Sequence, residues 1–195
     1  MRDGENIRAV EALGVDWIGF IFYPPSKRYV DIVPSYLPKE AKRVGVFVNE
    51  SRETIVDKAT LFSLDIVQLH GDESPEFCQQ LLNKQIKVIK AVGVATTFPS
   101  EKIIQYEGSC DYFLFGTQTP THGGSGRKFD WNILQHYQGN TPFLLSGGIG
   151  PNDISAIQKF SHPLCIGIDI NSHFELSPAN KDIQSIQQFL KSLKQ

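Results

Sequence analysis

The 195-residue sequence predicts an α/β fold built on a parallel sheet. Seven short runs rich in Val, Ile and Phe are almost continuously apolar instead of alternating, as expected for strands buried on both faces. Segments with helical spacing of apolar residues lie between the runs. Successive runs start about 22 to 30 residues apart, the repeat of a βα unit and not of a β-sandwich.

A helix comes first, with Ile7, Val10 and Leu13 three residues apart, and the first strand run, Trp17–Phe22, follows it. The segment Asp31–Lys42 contains Pro34 and Pro38, so any helix there is expected to be short or irregular. Next comes Val44–Val48. Ser51 with Glu53 then signals a helix start, and Ile55, Ala59 and Phe62 form its apolar face. Ile66–Leu69 is followed by the start signal Ser74-Pro75-Glu76, with Phe77 and Leu81 on one face. Val88–Val92, Tyr112–Phe115 and Phe143–Leu145 are the next strands. Pro151-Asn152-Asp153 opens a helix carrying Ile154 and Ile157, Leu164–Ile168 is the seventh run, and Ile183, Ile186, Leu190 and Leu193 share a face of the last helix.

Parallel strands with crossover helices suit an open doubly wound sheet or a closed (β/α)8 TIM barrel. The chain opens on a helix, and one more strand ahead of it makes eight βα units. The expected architecture is therefore a TIM barrel with its first strand missing, seven parallel strands being present, in one domain spanning residues 1–195.

The net charge of -2 gives no electrostatic case for nucleic acid or an acidic membrane as partner. No apolar run approaches the roughly 20 residues that span a bilayer, and residues 1–13 lack the apolar centre of a signal peptide. Cys78, Cys110 and Cys165 are odd in number and widely spaced, which fits buried reduced thiols in a cytoplasmic protein better than a disulfide framework or a zinc site.

Ligands of parallel α/β proteins sit at the carboxyl ends of the strands. There, Phe22 leads into Tyr23-Pro24-Pro25-Ser26-Lys27-Arg28-Tyr29, a stiffened basic loop in which Arg28 can grip a carboxylate with two parallel hydrogen bonds. Gln68-Leu69-His70-Gly71 puts His70 at a strand end. Thr117–Trp131 is long and glycine-rich, and is expected to cover the site or to lie beside a phosphate. Leu145-Ser146-Gly147-Gly148 ahead of a helix, followed by Asp169-Ile170-Asn171-Ser172, presents backbone N–H groups where barrels often hold a phosphate.

Several blocks together resemble phosphoribosylanthranilate isomerases. They are Gly19–Pro24 with Lys27-Arg28-Tyr29, Arg43–Asn49, Val67–Gly71, Ile89–Val92, Gly123–Gly126 with Phe129-Asp130-Trp131, Leu145–Gly148, and Gly167–Ser172 with Glu175. They occur in the family's order across essentially the whole chain. The resemblance implies a (β/α)8 barrel and an Amadori rearrangement in tryptophan biosynthesis. N-(5-phosphoribosyl)anthranilate becomes 1-(2-carboxyphenylamino)-1-deoxyribulose 5-phosphate, with a general acid at the ring oxygen, a general base at ribose C2, and no metal or organic cofactor. It further implies Arg28 on the substrate carboxylate, His70 and Asp169 lining the site, and Gly147, Gly148, Asn171 and Ser172 on the phosphate. The implied partner is the phosphosugar alone, in a monomer or homodimer.

The pattern breaks at two positions. The family's base, a Cys ending the first strand in a motif like Lys-Ile-Cys-Gly-Met, has no counterpart here. Its acid, an Asp ending the sixth strand, is replaced by Gly116. Impaired turnover is expected. A non-catalytic phosphosugar-binding or interaction protein is the competing reading. Another phosphate-binding barrel, such as a related indole- or histidine-pathway enzyme, is a third, which the Arg28-Tyr29 and Gln68–Gly71 blocks oppose.

Overall fold

The computed structural model describes residues 1–119 and 128–194. The glycine-rich block Gly123–Gly126 therefore lies outside the described residues.

Seven parallel strands form one sheet in chain order: β1 (Trp17–Ile21), β2 (Lys42–Phe47), β3 (Ile66–Leu69), β4 (Lys87–Val94), β5 (Tyr112–Thr117), β6 (Phe143–Leu145) and β7 (Cys165–Ile168). Each pairs with the next, so the sheet curls into a half-barrel whose edges are β1 and β7. The helices are α1 (Gly4–Glu11), α2 (Arg52–Phe62), α3 (Pro75–Leu82), α4 (Ser100–Tyr106), α5 (Ile154–Lys159) and α6 (Ile183–Leu193). No helix among the described residues is long and apolar enough to cross a membrane.

Local sequence explains most helix starts. Asp3, Ser51, Ser74 and Asp182 each accept a hydrogen bond from the backbone N–H three residues on, which satisfies one orphan donor of α1, α2, α3 and α6. Pro75 then occupies the first turn of α3, where its missing N–H costs nothing. α2 stops at Ser63, which turns left-handed at φ 49°.

Alternation along the strands sorts side chains to two faces. Phe20, Phe47, Val67, Val88, Phe113 and Phe143 belong to the large core shared with the helices. Val44, Ile66, Ile89, Leu114 and Leu144 form a separate small core on the concave face.

Residues 31–41 contain neither helix nor strand, only bends leading into β2, and just ahead of them Tyr29 forms an isolated bridge back to Ile21. Glu11 of α1 organises this stretch: its Oε1 accepts the N–H groups of Lys39, Glu40 and Ala41 at 2.7, 2.8 and 3.0 Å, and its Oε2 accepts the Tyr36 hydroxyl. Two features go beyond the sequence reading near the site. A 3-10 turn, Pro151–Asp153, precedes α5, and a small antiparallel hairpin, β8 (Glu175–Ser177) with β9 (Asn180–Lys181), precedes α6.

Candidate active site

A cavity of about 880 Å³ opens on the concave face and at the carboxyl ends of the strands. Its floor is the small core: Val44, Ile89, Leu114 and Leu144. Arg28, His70, Gly116, Gly147, Gly148, Asp169, Asn171 and Ser172 all line it, so the residues singled out in the sequence converge on one space. The cavity also reaches the flank between the sheet edges, where Gly19 of β1 and Ile166 of β7 border it.

Arg28 stands in the loop after β1, where its N–H donates to Ser26 Oγ at 3.1 Å. Its guanidinium already holds a protein carboxylate. Nε donates to both oxygens of Glu175, at 3.0 and 2.9 Å, and Nη2 donates to Oε2 at 2.6 Å. This is the two-pronged geometry that the sequence reading assigned to a ligand, engaged here by β8. Nη1 has no hydrogen-bond partner among the described residues.

Glu175 in turn accepts from Lys181 Nζ at 3.2 Å, and Nζ also donates to Asn171 Oδ1 at 2.7 Å. Burial pushes the Glu175 carboxyl up, but the Arg28 hydrogen bonds and the two neighbouring cations outweigh it and hold the group below the usual carboxylate range. Burial lowers the Lys181 ammonium, with Glu175 opposing. Both residues line the cavity and both escaped the sequence reading as ligand-pocket groups. The signal that could have raised Lys181 is its place in the thirteen-residue stretch 169–181 that also holds Asp169, Asn171 and Glu175, but pairing at that range is not readable from spacing.

His70 directly follows β3, and its Nδ1 lies 2.9 Å from Gln68 Nε2. Asp169 follows β7, and its Oδ2 accepts the Ser146 hydroxyl at 2.9 Å. Gly116, on β5, lines the same cavity. Among the described residues, a Cβ built there meets only Ser146, at 3.9 Å, an ordinary contact. Gly147 and Gly148 have φ of 93° and 66°, which glycine alone adopts cheaply. A Cβ at Gly147 would lie 2.6 Å from the Thr117 N–H nitrogen and Oγ1, so this turn needs glycine for space as well as for conformation.

None of the cysteines reaches the cavity. Cys78 lies in α3, Cys110 precedes β5, and Cys165 opens β7. Burial pushes the Cys78 and Cys110 thiols up to about 11 and about 12, so neither supplies a thiolate base near neutrality. Among the described residues no three His, Cys, Asp or Glu side chains come together as a metal site would require.

Parallel strands whose carboxyl ends surround a cavity define an α/β protein with its ligand site at the strand ends. A family model described as N-(5'-phosphoribosyl)anthranilate (PRA) isomerase matches residues 1–192. The N-(5'-phosphoribosyl)anthranilate isomerase of Phocaeicola vulgatus is 51% identical over 195 residues, covering 100% of this chain and 95% of the relative. That of Parabacteroides distasonis is 48% identical, covering 99% and 90%. Among solved structures, the phosphoribosyl anthranilate isomerase of Thermotoga maritima superposes with a TM-score of 0.81 at 36% identity, covering 100% of this chain and 98% of that one. A second phosphoribosyl anthranilate isomerase structure, in complex with reduced 1-(o-carboxyphenylamino)-1-deoxyribulose 5-phosphate, gives 0.79 at 32% identity, with the same coverage. The chain belongs to the N-(5'-phosphoribosyl)anthranilate isomerase family.

Proposed function

We propose that the cavity binds N-(5-phosphoribosyl)anthranilate and its rearranged product, 1-(2-carboxyphenylamino)-1-deoxyribulose 5-phosphate, and that this chain catalyses their interconversion slowly. The observation that carries this reading is the convergence of Arg28, His70, Asp169, the Gly147–Gly148 turn and the Asn171–Ser172 loop on one cavity. Backbone N–H groups of the two loops would take the phosphate, and Arg28, held flat by Glu175, would present Nη1 to the anthranilate carboxylate. His70 and Asp169 would line the sugar between these ends.

The rearrangement needs an acid at the ring oxygen as the ring opens and a base at ribose C2. Gly116 supplies no proton, and the buried thiols stand away from the cavity. Lack of the acid at position 116 removes about 10²–10⁴-fold of rate. Binding uses other residues and survives this loss. The same observation favours a second reading, a non-catalytic phosphosugar-binding protein.

The strands β1 to β7 read best as strands two to eight of an eight-stranded ring, because the cavity runs through the flank between β1 and β7 where one further parallel strand would pair with both edges. On this reading the chain is a single domain acting in the cytoplasm on a phosphosugar, without a cofactor, as a monomer or homodimer.

Turnover of N-(5-phosphoribosyl)anthranilate by the purified chain, followed by its fluorescence and set beside calorimetry with the reduced product analogue, tests the proposal. Binding with slow turnover is expected. Binding with no turnover above background selects the second reading, and a folded chain that binds neither ligand contradicts both.

A further inference from the structure

The two anion-holding ends of the cavity are mechanically joined. Arg28 is tied to Glu175, Glu175 to Lys181, and Lys181 to Asn171, so one carboxylate links the loop after β1 to the loop after β7. Lys181 Nζ reaches Asn171 twice, at the main-chain oxygen (3.2 Å) and at Oδ1 (2.7 Å), which fixes both the backbone and the side chain of that residue. The hairpin that carries the pair is itself anchored. Asn6 of α1 donates from Nδ2 to the Lys181 carbonyl at 2.9 Å and accepts the Lys181 N–H at 2.8 Å. The Ala179 N–H donates to Glu175 Oε1 at 3.2 Å. Phe174, fully buried, packs edge-on against Phe189 of α6 at 4.8 Å.

The charges are nearly dry: the Glu175 side chain is 4% exposed and that of Lys181 11%. Separating a charge from its partners in such surroundings is costly, so the three groups move together or not at all. Both cations share this one carboxylate. We propose that Glu175 and Lys181 are positioning residues that set the separation between the carboxylate-holding and phosphate-holding ends of the cavity, and thereby select ligands that carry both anions on one frame. This rests on the ligand reading given above.

The test is calorimetry on the full chain with three probes: the reduced product analogue, which carries both anions, and anthranilate and ribulose 5-phosphate, which carry one each. Lys181→Met is expected to weaken the two-ended analogue at least tenfold and anthranilate less than threefold. A merely structural role would weaken all three probes by one common factor, and that result, or an unchanged two-ended affinity, overturns the inference. Should Lys181→Met fail to fold, Asn6→Ala keeps every charge and removes the anchor of the hairpin. It is expected to weaken the analogue at least threefold with anthranilate unchanged, and equal weakening or none overturns the inference. A wild-type chain that binds no probe contradicts the ligand reading itself, whereas a wild type that binds the analogue alongside variants that bind it equally well contradicts this inference alone.

Discussion

Lys90 and Glu73 form an ion pair sealed from solvent, with Nζ 2.7 Å from Oε2 and side chains 0% and 3% exposed. Lys90 Nζ also donates to the Gly71 carbonyl at 2.7 Å. Glu73 accepts the N–H groups of Asn49 and Gly71 at 2.8 and 3.0 Å, and its carbonyl takes the Tyr106 hydroxyl at 2.7 Å. The pair thus ties the segments that follow β2 and β3 to the middle of β4, next in the chain to His70. Removing one partner strands the other in the core, which typically costs about 3–5 kcal/mol. Lys90→Met is expected to lower stability by that amount in urea titration. Lys90→Met combined with Glu73→Leu is expected to cost less than the sum of the single changes. A single-variant loss below about 1 kcal/mol would show that the pair does not organise these segments.

Among the described residues a Cβ at position 116 meets only Ser146, at ordinary contact distance, which leaves room there for a carboxyl-bearing side chain. Gly116→Asp is expected to fold with a stability within about 1 kcal/mol of wild type. It is expected to raise turnover of N-(5-phosphoribosyl)anthranilate by about 10²-fold or more, the lower end of a general acid's contribution. An unchanged rate in a folded variant that still binds the product analogue would remove position 116 from the chemistry.

Gly147 combines positive φ with a close approach to Thr117. Gly147→Ala is expected to cost about 1–3 kcal/mol in strain and to weaken binding of the phosphate-bearing analogue, because the turn must shift to clear the Thr117 nitrogen. Wild-type affinity in this variant would place the phosphate elsewhere.

The Glu11 carboxyl is pushed up by its burial but pulled down further by the Tyr36 hydroxyl and three backbone N–H groups, from its ordinary 4.5 to about 2. A depressed folded-state value means that the contribution is complete above the unfolded-state value and fades as pH falls through the folded one. The stability gap between wild type and Glu11→Gln should therefore be constant above about pH 5 and close between about pH 4.5 and pH 2. Urea midpoints measured across that window check this. A gap independent of pH would mean that the carboxylate charge plays no part in holding residues 39–41.

The strands were readable because burial on both faces removes alternation and leaves apolar runs. Most helices were readable because Ser51, Ser74 and the Pro151–Asp153 segment mark their starts. α4 was missed: it is seven residues long and begins after Pro99 without a side-chain cap. The β8–β9 hairpin was missed because strands of three and two residues have no period to detect. At the site, the glycine turns and Arg28 were visible as types placed at strand ends. The partner of Arg28 was not, because Glu175 lies 147 residues away. Lys90 left a trace that could have been followed: one lysine inside the run Val88–Val92 must find a buried partner or escape to solvent.

A crystal structure of the chain with reduced 1-(o-carboxyphenylamino)-1-deoxyribulose 5-phosphate tests the central claim most directly. The phosphate is expected within hydrogen-bonding distance of backbone N–H groups in the Gly147–Gly148 turn and the Asn171–Ser172 loop, with the carboxylate on Arg28 Nη1 and Glu175 still paired to Nε. A ligand bound outside this cavity, or bound with its carboxylate away from Arg28, would contradict it.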